Sequence, residues 1–128
     1  MTDLVWLGLE EALAIHGAVL AEHGGLQGIR DLALLGSALA RPRHLTAYGT
    51  PDTYELGTAY TAGIVNSYPF VDGNKRTGLV MGILFLELNG VVFSAPEADA
   101  TAAVFALASN ELTEELYVSW LRENSNAA

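Results

Sequence analysis

The chain has 128 residues, 51% of them hydrophobic, which suffices for one buried core and is short for two ordinary domains, so one compact domain over residues 1–128 is expected. A formal charge of −9 repels phosphate backbones over most of the surface and argues against extended nucleic-acid binding. No cysteine is present, which excludes disulfides and thiol chemistry and agrees with a cytoplasmic chain, and His16, His23 and His44 lack the spacing of a zinc site.

In chain order, Met1-Thr2-Asp3-Leu4 carries no basic export region, and the longest apolar run, residues 79–86, is far below membrane-spanning length, so no membrane association is expected. Residues 9–21 read as a helix with Leu9, Leu13, His16 and Leu20 near one face and Gly24-Gly25 as its stop. In that apolar setting His16 is expected to be a satisfied, partly buried side chain, while His23 complements the negative end of the helix. Asp31 caps a second helix through Ala40, which ends before Pro42 because proline disfavours helical backbone in the residue ahead of it. Residues 41–49, with two arginines, His44 and Tyr48, are then expected as a loop.

Thr50 followed by Pro51 predicts the cap and first residue of a third helix running to about Ser67, ahead of Pro69. Residues 74–88 are apolar nearly all round, which predicts a helix buried at the centre of the domain, with Asn89-Gly90 as its C-cap. Val91-Val92-Phe93 is a short extended piece. Ser94 with Glu97 predicts a capping box for a helix to about Ala108, and Thr113 with Glu114 and Glu115 opens a last helix to Arg122. The polar tail, residues 124–128, is expected to fray. Trp6 and Trp120 read as core or groove aromatics. The fold class is all-α: a compact bundle around one buried central helix, with a short flap.

The segment Ser67-Tyr68-Pro69-Phe70-Val71-Asp72-Gly73-Asn74-Lys75-Arg76-Thr77-Gly78 holds the only lysine of the chain and one of its five arginines, between two helices. A helix N-terminus offers unpaired N–H groups and a positive dipole end, so a tight turn at Gly73 lets a phosphate approach the N–H groups of Asn74 to Thr77, with Lys75 and Arg76 adding charge. Asp72 is placed to hold Mg²⁺, which prefers oxygen ligands shared between a carboxylate and substrate phosphates. Asn74 orients the turn or donates to a phosphate, and Phe70 anchors the turn in the core. On its own the Asp-Gly-Asn-Lys-Arg core is also an ordinary turn followed by a polar helix start.

The longer pattern Pro-Phe-x-Asp-Gly-Asn-Lys-Arg-Thr, followed by an apolar helix ending in Phe85-Leu86-x-Leu88-Asn89-Gly90, resembles the signature of the Fic/Doc family, Doc branch. Gly24-Gly25-Leu26-x-Gly28 and Leu35-x-Ser37-Ala38-Leu39-Ala40-Arg41-Pro42 are similar to that family's N-terminal half. The resemblance implies the toxin half of a toxin-antitoxin pair: a Mg-ATP-dependent protein kinase acting on elongation factor Tu and halting translation. An antitoxin whose C-terminal segment folds into a surface groove would be its partner. It implies Asp72 as the magnesium ligand, Gly73 and Asn74 as the phosphate cradle, beside the helix-start N–H groups that extend to Thr77, and Lys75 and Arg76 as the charge clamp. Arg43, His44 and Tyr48 would sit in a flap that aligns the target polypeptide.

Two departures carry weight. The family's histidine base is replaced by Tyr68, and a phenol with a reference pKa of about 10 is a poor base at neutral pH, so the resemblance implies a silenced or attenuated enzyme, or a variant using tyrosine as base or positioner. The adenylylating members of the family usually have glycine at the position of Lys75 and a further arginine at that of Leu79, so phosphoryl transfer is favoured over the alternative, adenylyl transfer. A non-catalytic module that binds an antitoxin or a nucleotide is the third reading. Ser119-x-x-x-Glu123-Asn124 also resembles an inhibitory helix pattern of some relatives, which implies a Glu123 to Arg76 contact, against an exposed last-turn glutamate.

Overall fold

The computed structural model describes residues 3–128, among which the chain forms six α-helices and one two-stranded antiparallel sheet. In order these are α1 (Leu9–His23), α2 (Leu32–Tyr48), α3 (Thr53–Ser67), α4 (Asn74–Leu88), β1 (Val91–Phe93), α5 (Glu97–Ala108), α6 (Glu114–Glu123) and β2 (Ser125–Ala127). Among the described residues no helix is long and apolar enough to cross a membrane.

The centre is a pair of helices. α4 is buried as its apolar circumference predicts, yet α3 is buried along more of its length, nine of fifteen residues against eight. Small residues bring the two together. A Cβ on Gly82 would lie 2.2 Å from Thr61 Oγ1 and 2.7 Å from the Gly57 carbonyl, and one on Gly78 would lie 2.9 Å from Val65 Cγ2. Residue numbers rise along α3 as they fall along α4, so the pair is antiparallel. α2 closes on α3, where a Cβ on Gly63 would sit 3.2 Å from Ala38. α1 packs on α4, and α5 and α6 cover the opposite side. One core cluster joins Leu7, Leu35, Tyr60, Phe70 and Phe85, and a second joins Leu86, Leu107, Tyr117 and Leu121. Burial raises the Tyr60 and Tyr117 hydroxyls above the ordinary phenol value.

Five local expectations are corrected. α1 buries Ala12, His16 and Val19 and leaves Leu9 and Leu13 exposed. Small Ala12 lets the helix approach closely, and a hydrogen bond satisfies His16. α2 does not stop before Pro42. Leu35, Ala38 and Pro42 form one buried stripe, and packing of that stripe offsets the roughly 3 kcal/mol a mid-helix proline costs. Residues 41–48 are therefore helix and not a flap loop. The cap of α3 is Asp52 in place of Thr50: its carboxylate accepts from Glu55 N–H at 2.8 Å and Glu55 accepts from Asp52 N–H at 3.2 Å. Ser94 caps nothing. Its backbone N–H and hydroxyl both donate to the Asn124 carbonyl, while Pro96 stands at the start of α5. The tail is a strand, with Val91 opposite Ala127 and Phe93 opposite Ser125.

Candidate functional site

α3 ends at Ser67, and Tyr68 follows in the left-handed region at φ 50°, ψ 54°, its N–H donating to the Ile64 carbonyl at 3.1 Å. That conformation costs a non-glycine residue about 1–2 kcal/mol, so other contacts must hold it. Arg30 and Asp31 supply them. Arg30 Nε donates to the Tyr68 carbonyl at 2.6 Å and Arg30 Nη2 to the Ser67 carbonyl at 2.7 Å. The backbone N–H groups of Arg30 and Asp31 both donate to the Pro69 carbonyl. The turn then dives into the core through Phe70, 1% exposed, whose ring stacks on His16 at 3.8 Å between centroids and 8° between planes.

Asn74 folds back over this turn, accepting from Phe70 N–H and donating to the Phe70 carbonyl, both at 3.0 Å. His16 Nε2 donates to the Asp72 carbonyl at 2.8 Å. Gly73, at φ 77°, reverses the chain as the N-cap of α4. The first bond closing α4 runs from Thr77 N–H to the Gly73 carbonyl. The N–H groups of Asn74, Lys75 and Arg76 precede it and have no intrahelical partner.

These groups open on a cavity of about 530 Å³ lined by Tyr68, Asp72, Gly73, Asn74, Lys75 and Arg76, with Val19, His23, Gly24, Gly25 and Phe105 on its other walls. Six of the residues implicated by sequence are thus brought to one place. Asp72 is exposed. One carboxylate oxygen accepts from Leu26 N–H at 3.1 Å and the other from Gly73 N–H at 3.0 Å, which leaves each a free lone pair. The cations of the chain are unevenly engaged. Arg41 pairs with Glu114, Arg122 pairs with Asp52, and Arg43 lies over the Trp6 ring at 4.9 Å. Lys75 and Arg76 have no carboxylate partner among the described residues: Lys75 Nζ sits 5.3 Å from the Phe105 ring centre and Arg76 Nη1 is 3.4 Å from His23 Nε2. A helix start with orphan donors and two cations that lack carboxylate partners has the parts that anion binding requires.

Thr77 is not part of it. Its side chain is fully buried, its hydroxyl has no partner, and its N–H is spent on Gly73. The side-chain amide of Asn74 is occupied by Phe70, so Asn74 shapes the turn and offers the cavity its backbone N–H. Arg43, His44 and Tyr48 stand on the last two turns of α2. His44 and Tyr48 line a separate cavity with Pro51 and Glu55, and Tyr48 is 93% exposed. The extended segment that does lie against the turn is residues 25–30, through an isolated bridge between Ile29 and Phe70 and a bond from Val71 N–H to the Gly28 carbonyl. Glu123 makes no ion pair with Arg76 among the described residues; α6 packs on α3 and α5. Sequence reasoning missed Arg30, His23 and Phe105 at the site. The only signal for the first two was their position on either side of the Gly24-Gly25-Leu26-x-Gly28 segment, and none pointed to Phe105.

Comparison with known proteins gives the same frame. The model of the Fic/DOC family matches residues 6–86. Over 95 residues the chain is 38% identical to "Protein kinase doc" of Escherichia phage P1, covering 72% of this chain and 75% of that protein. Over 75 residues it is 37% identical to "Toxin Doc" of Mycolicibacterium smegmatis, covering 56% of this chain and 57% of that protein. The residues matched by the family model take in the turn, α3, all but the last two residues of α4 and the glycine segment packed against the turn, and this chain belongs to the Fic/Doc family.

Proposed function

We propose that this chain is a Doc-type toxin, by descent a Mg-ATP-dependent protein kinase that phosphorylates elongation factor Tu in the cytoplasm and halts translation, and that Tyr68 silences or attenuates it. The observation that carries the reading is the cavity that collects an exposed Asp72 carboxylate, three orphan N–H groups and the two cations without acidic partners. In this reading the whole chain is one Fic/Doc domain, because α5 and α6, beyond the matched residues, pack on α3 and α4.

The residues present fit magnesium and a nucleotide. Asp72 would ligate the metal through its free lone pairs, and the N–H groups of Asn74 to Arg76 would cradle phosphate oxygens. Bound Mg-ATP would supply an electrophilic phosphorus and a leaving group whose charge the metal shares. Lys75 and Arg76 would stabilise the charge that develops during transfer. The proton of the target hydroxyl would pass to the side chain at position 68, where histidine has a suitable basicity and a phenol does not. Leu79, where adenylylating relatives carry an arginine, is buried with Val65 and Val104, which favours phosphoryl transfer. The antitoxin's C-terminal segment is assigned to the groove bordered by Leu13, Leu20 and Ile29, which is apolar and adjoins the turn.

The test is transfer from γ-labelled and α-labelled ATP to elongation factor Tu, with Mg²⁺, by this chain and by Tyr68→His. Transfer of γ-label by the histidine variant alone is expected. Transfer of α-label would instead make the protein an adenylyltransferase. No transfer of either label by either protein would end the kinase assignment for this target and leave a module that binds an antitoxin or a nucleotide.

A further inference from the structure

We propose that Arg30 is a positioning residue that sets the direction of the side chain at position 68. Its kinetic consequence rests on the Doc-type reading above, whereas its geometric basis stands apart from it.

Three consecutive carbonyls, those of Ser67, Tyr68 and Pro69, are all occupied by Arg30 and Asp31, and two of them by the Arg30 guanidinium alone. Tyr68 is one of two non-glycine residues with positive φ among the described residues, and the other, Asn110, lies in the turn after α5. A left-handed residue at a helix end is held only if its neighbours leave no easier alternative. Here the planar guanidinium spans two adjacent carbonyls at the negative end of the α3 dipole, a geometry that fixes the plane of the 68–69 peptide and so the direction of the Tyr68 Cβ. No carboxylate pairs with Arg30 among the described residues, so its charge is spent on this backbone.

The anion cradle is held by a different set of bonds. Asn74 ties Phe70, His16 ties the Asp72 carbonyl, and Asp72 takes Leu26 and Gly73 N–H. None of these passes through the Arg30 side chain. Removing that side chain therefore releases position 68 and leaves the phosphate site in place. Lysine is not an equivalent replacement, because a single ammonium cannot reproduce a fork onto two carbonyls.

Two measurements test this. The first reads backbone chemical shifts of residue 68 in this chain and in its Arg30→Ala and Arg30→Lys variants. Loss of the positive-φ signature in the alanine variant is expected, and its retention there would overturn the proposal. The second uses the Tyr68→His background and transfer of γ-label from ATP. Arg30→Ala is expected to lower kcat at least tenfold with KM for Mg-ATP within twofold, and Arg30→Lys to lower kcat at least threefold. Unchanged kcat in both variants, or a KM rise as large as the kcat loss, would overturn it, since the latter would mean that Arg30 supports the cradle as a whole. If Tyr68→His alone transfers nothing, the kinase assignment for this target fails and the shift measurement still decides the role of Arg30. Should the alanine variant not fold, the lysine variant is read in its place, with loss of the positive-φ signature expected and its retention contrary.

Discussion

Gly82→Ala tests the close seam on which the site is mounted. The added Cβ would fall 2.2 Å from Thr61 Oγ1 and 2.7 Å from the Gly57 carbonyl. The hydroxyl can swing away only by giving up its 2.8 Å bond to the Gly78 carbonyl, and the Gly57 oxygen is backbone. Ordinary contact begins near 3.4 Å, so α3 must retreat by about 0.7 Å along the seam. A gap of that size forfeits roughly a quarter to a half of the dispersion energy of each contact across it. The overpacking cost is about 3 kcal/mol, and alanine's better helix propensity returns about 1 kcal/mol, for a net loss of about 2 kcal/mol. For a chain of this length that is a fall in Tm of roughly 8 °C. Urea and thermal unfolding followed by circular dichroism measure it, with Gly36→Ala as control. The Cβ of that control meets nothing within 4 Å, so it should stabilise by about 0.5–1 kcal/mol. A Gly82→Ala protein as stable as the unsubstituted chain would refute the close approach of α3 and α4.

Thr77→Val removes a buried hydroxyl without a partner and should raise stability by about 1 kcal/mol in urea unfolding, while leaving Mg-ATP affinity by calorimetry within twofold. Asp72→Asn keeps an acceptor for Leu26 N–H, gives up the exposed bond from Gly73 N–H and removes the charge, so Tm should fall by no more than about 5 °C while Mn²⁺-dependent nucleotide binding falls at least tenfold. Tyr117, buried and raised above its ordinary value of 10, holds its proton in the folded state after the unfolded chain would release it. Its contribution is complete below pH 10 and is lost as pH rises above that, by up to about 1.4 kcal/mol per pH unit, so Tyr117→Phe should flatten the alkaline fall measured by urea unfolding at pH 9 to 11.

Much of the cavity lining was legible because its parts are contiguous. Asp72, Gly73, Lys75 and Arg76 fall within five positions, so one turn into one helix carries them to the same wall. Thr77 was misplaced through helical phase: it follows Asn74 by three residues, and both face inward while Lys75 and Arg76 turn to the cavity. Arg30 was illegible because its partners are backbone carbonyls nearly forty residues away. The same distance hid the strand in the tail, whose partner Val91 lies across two helices, and the packing of Ala38 against Gly63 of α3, part of the buried stripe that carries α2 past Pro42. The caps at Asp31 of α2 and Thr113 of α6 were read correctly, since capping is a local exchange of side chain for backbone, whereas at Thr50 and Ser94 a neighbouring residue, Asp52 or Pro96, starts the helix instead.

The antiparallel pairing of α3 and α4 also bears on the order in which the molecule assembles. Only residues 68–73 separate the two helices, so joining them closes a very short loop and costs little chain entropy. The Arg30 fork and the strand pairing of residues 125–127 each bridge more than thirty positions and close far longer loops. A chain caught early in folding would therefore already join α3 to α4 through the glycine turn, with residue 68 not yet aimed by Arg30 and Asp72 not yet tied to His16 and Leu26, contacts that bridge 56 and 46 positions.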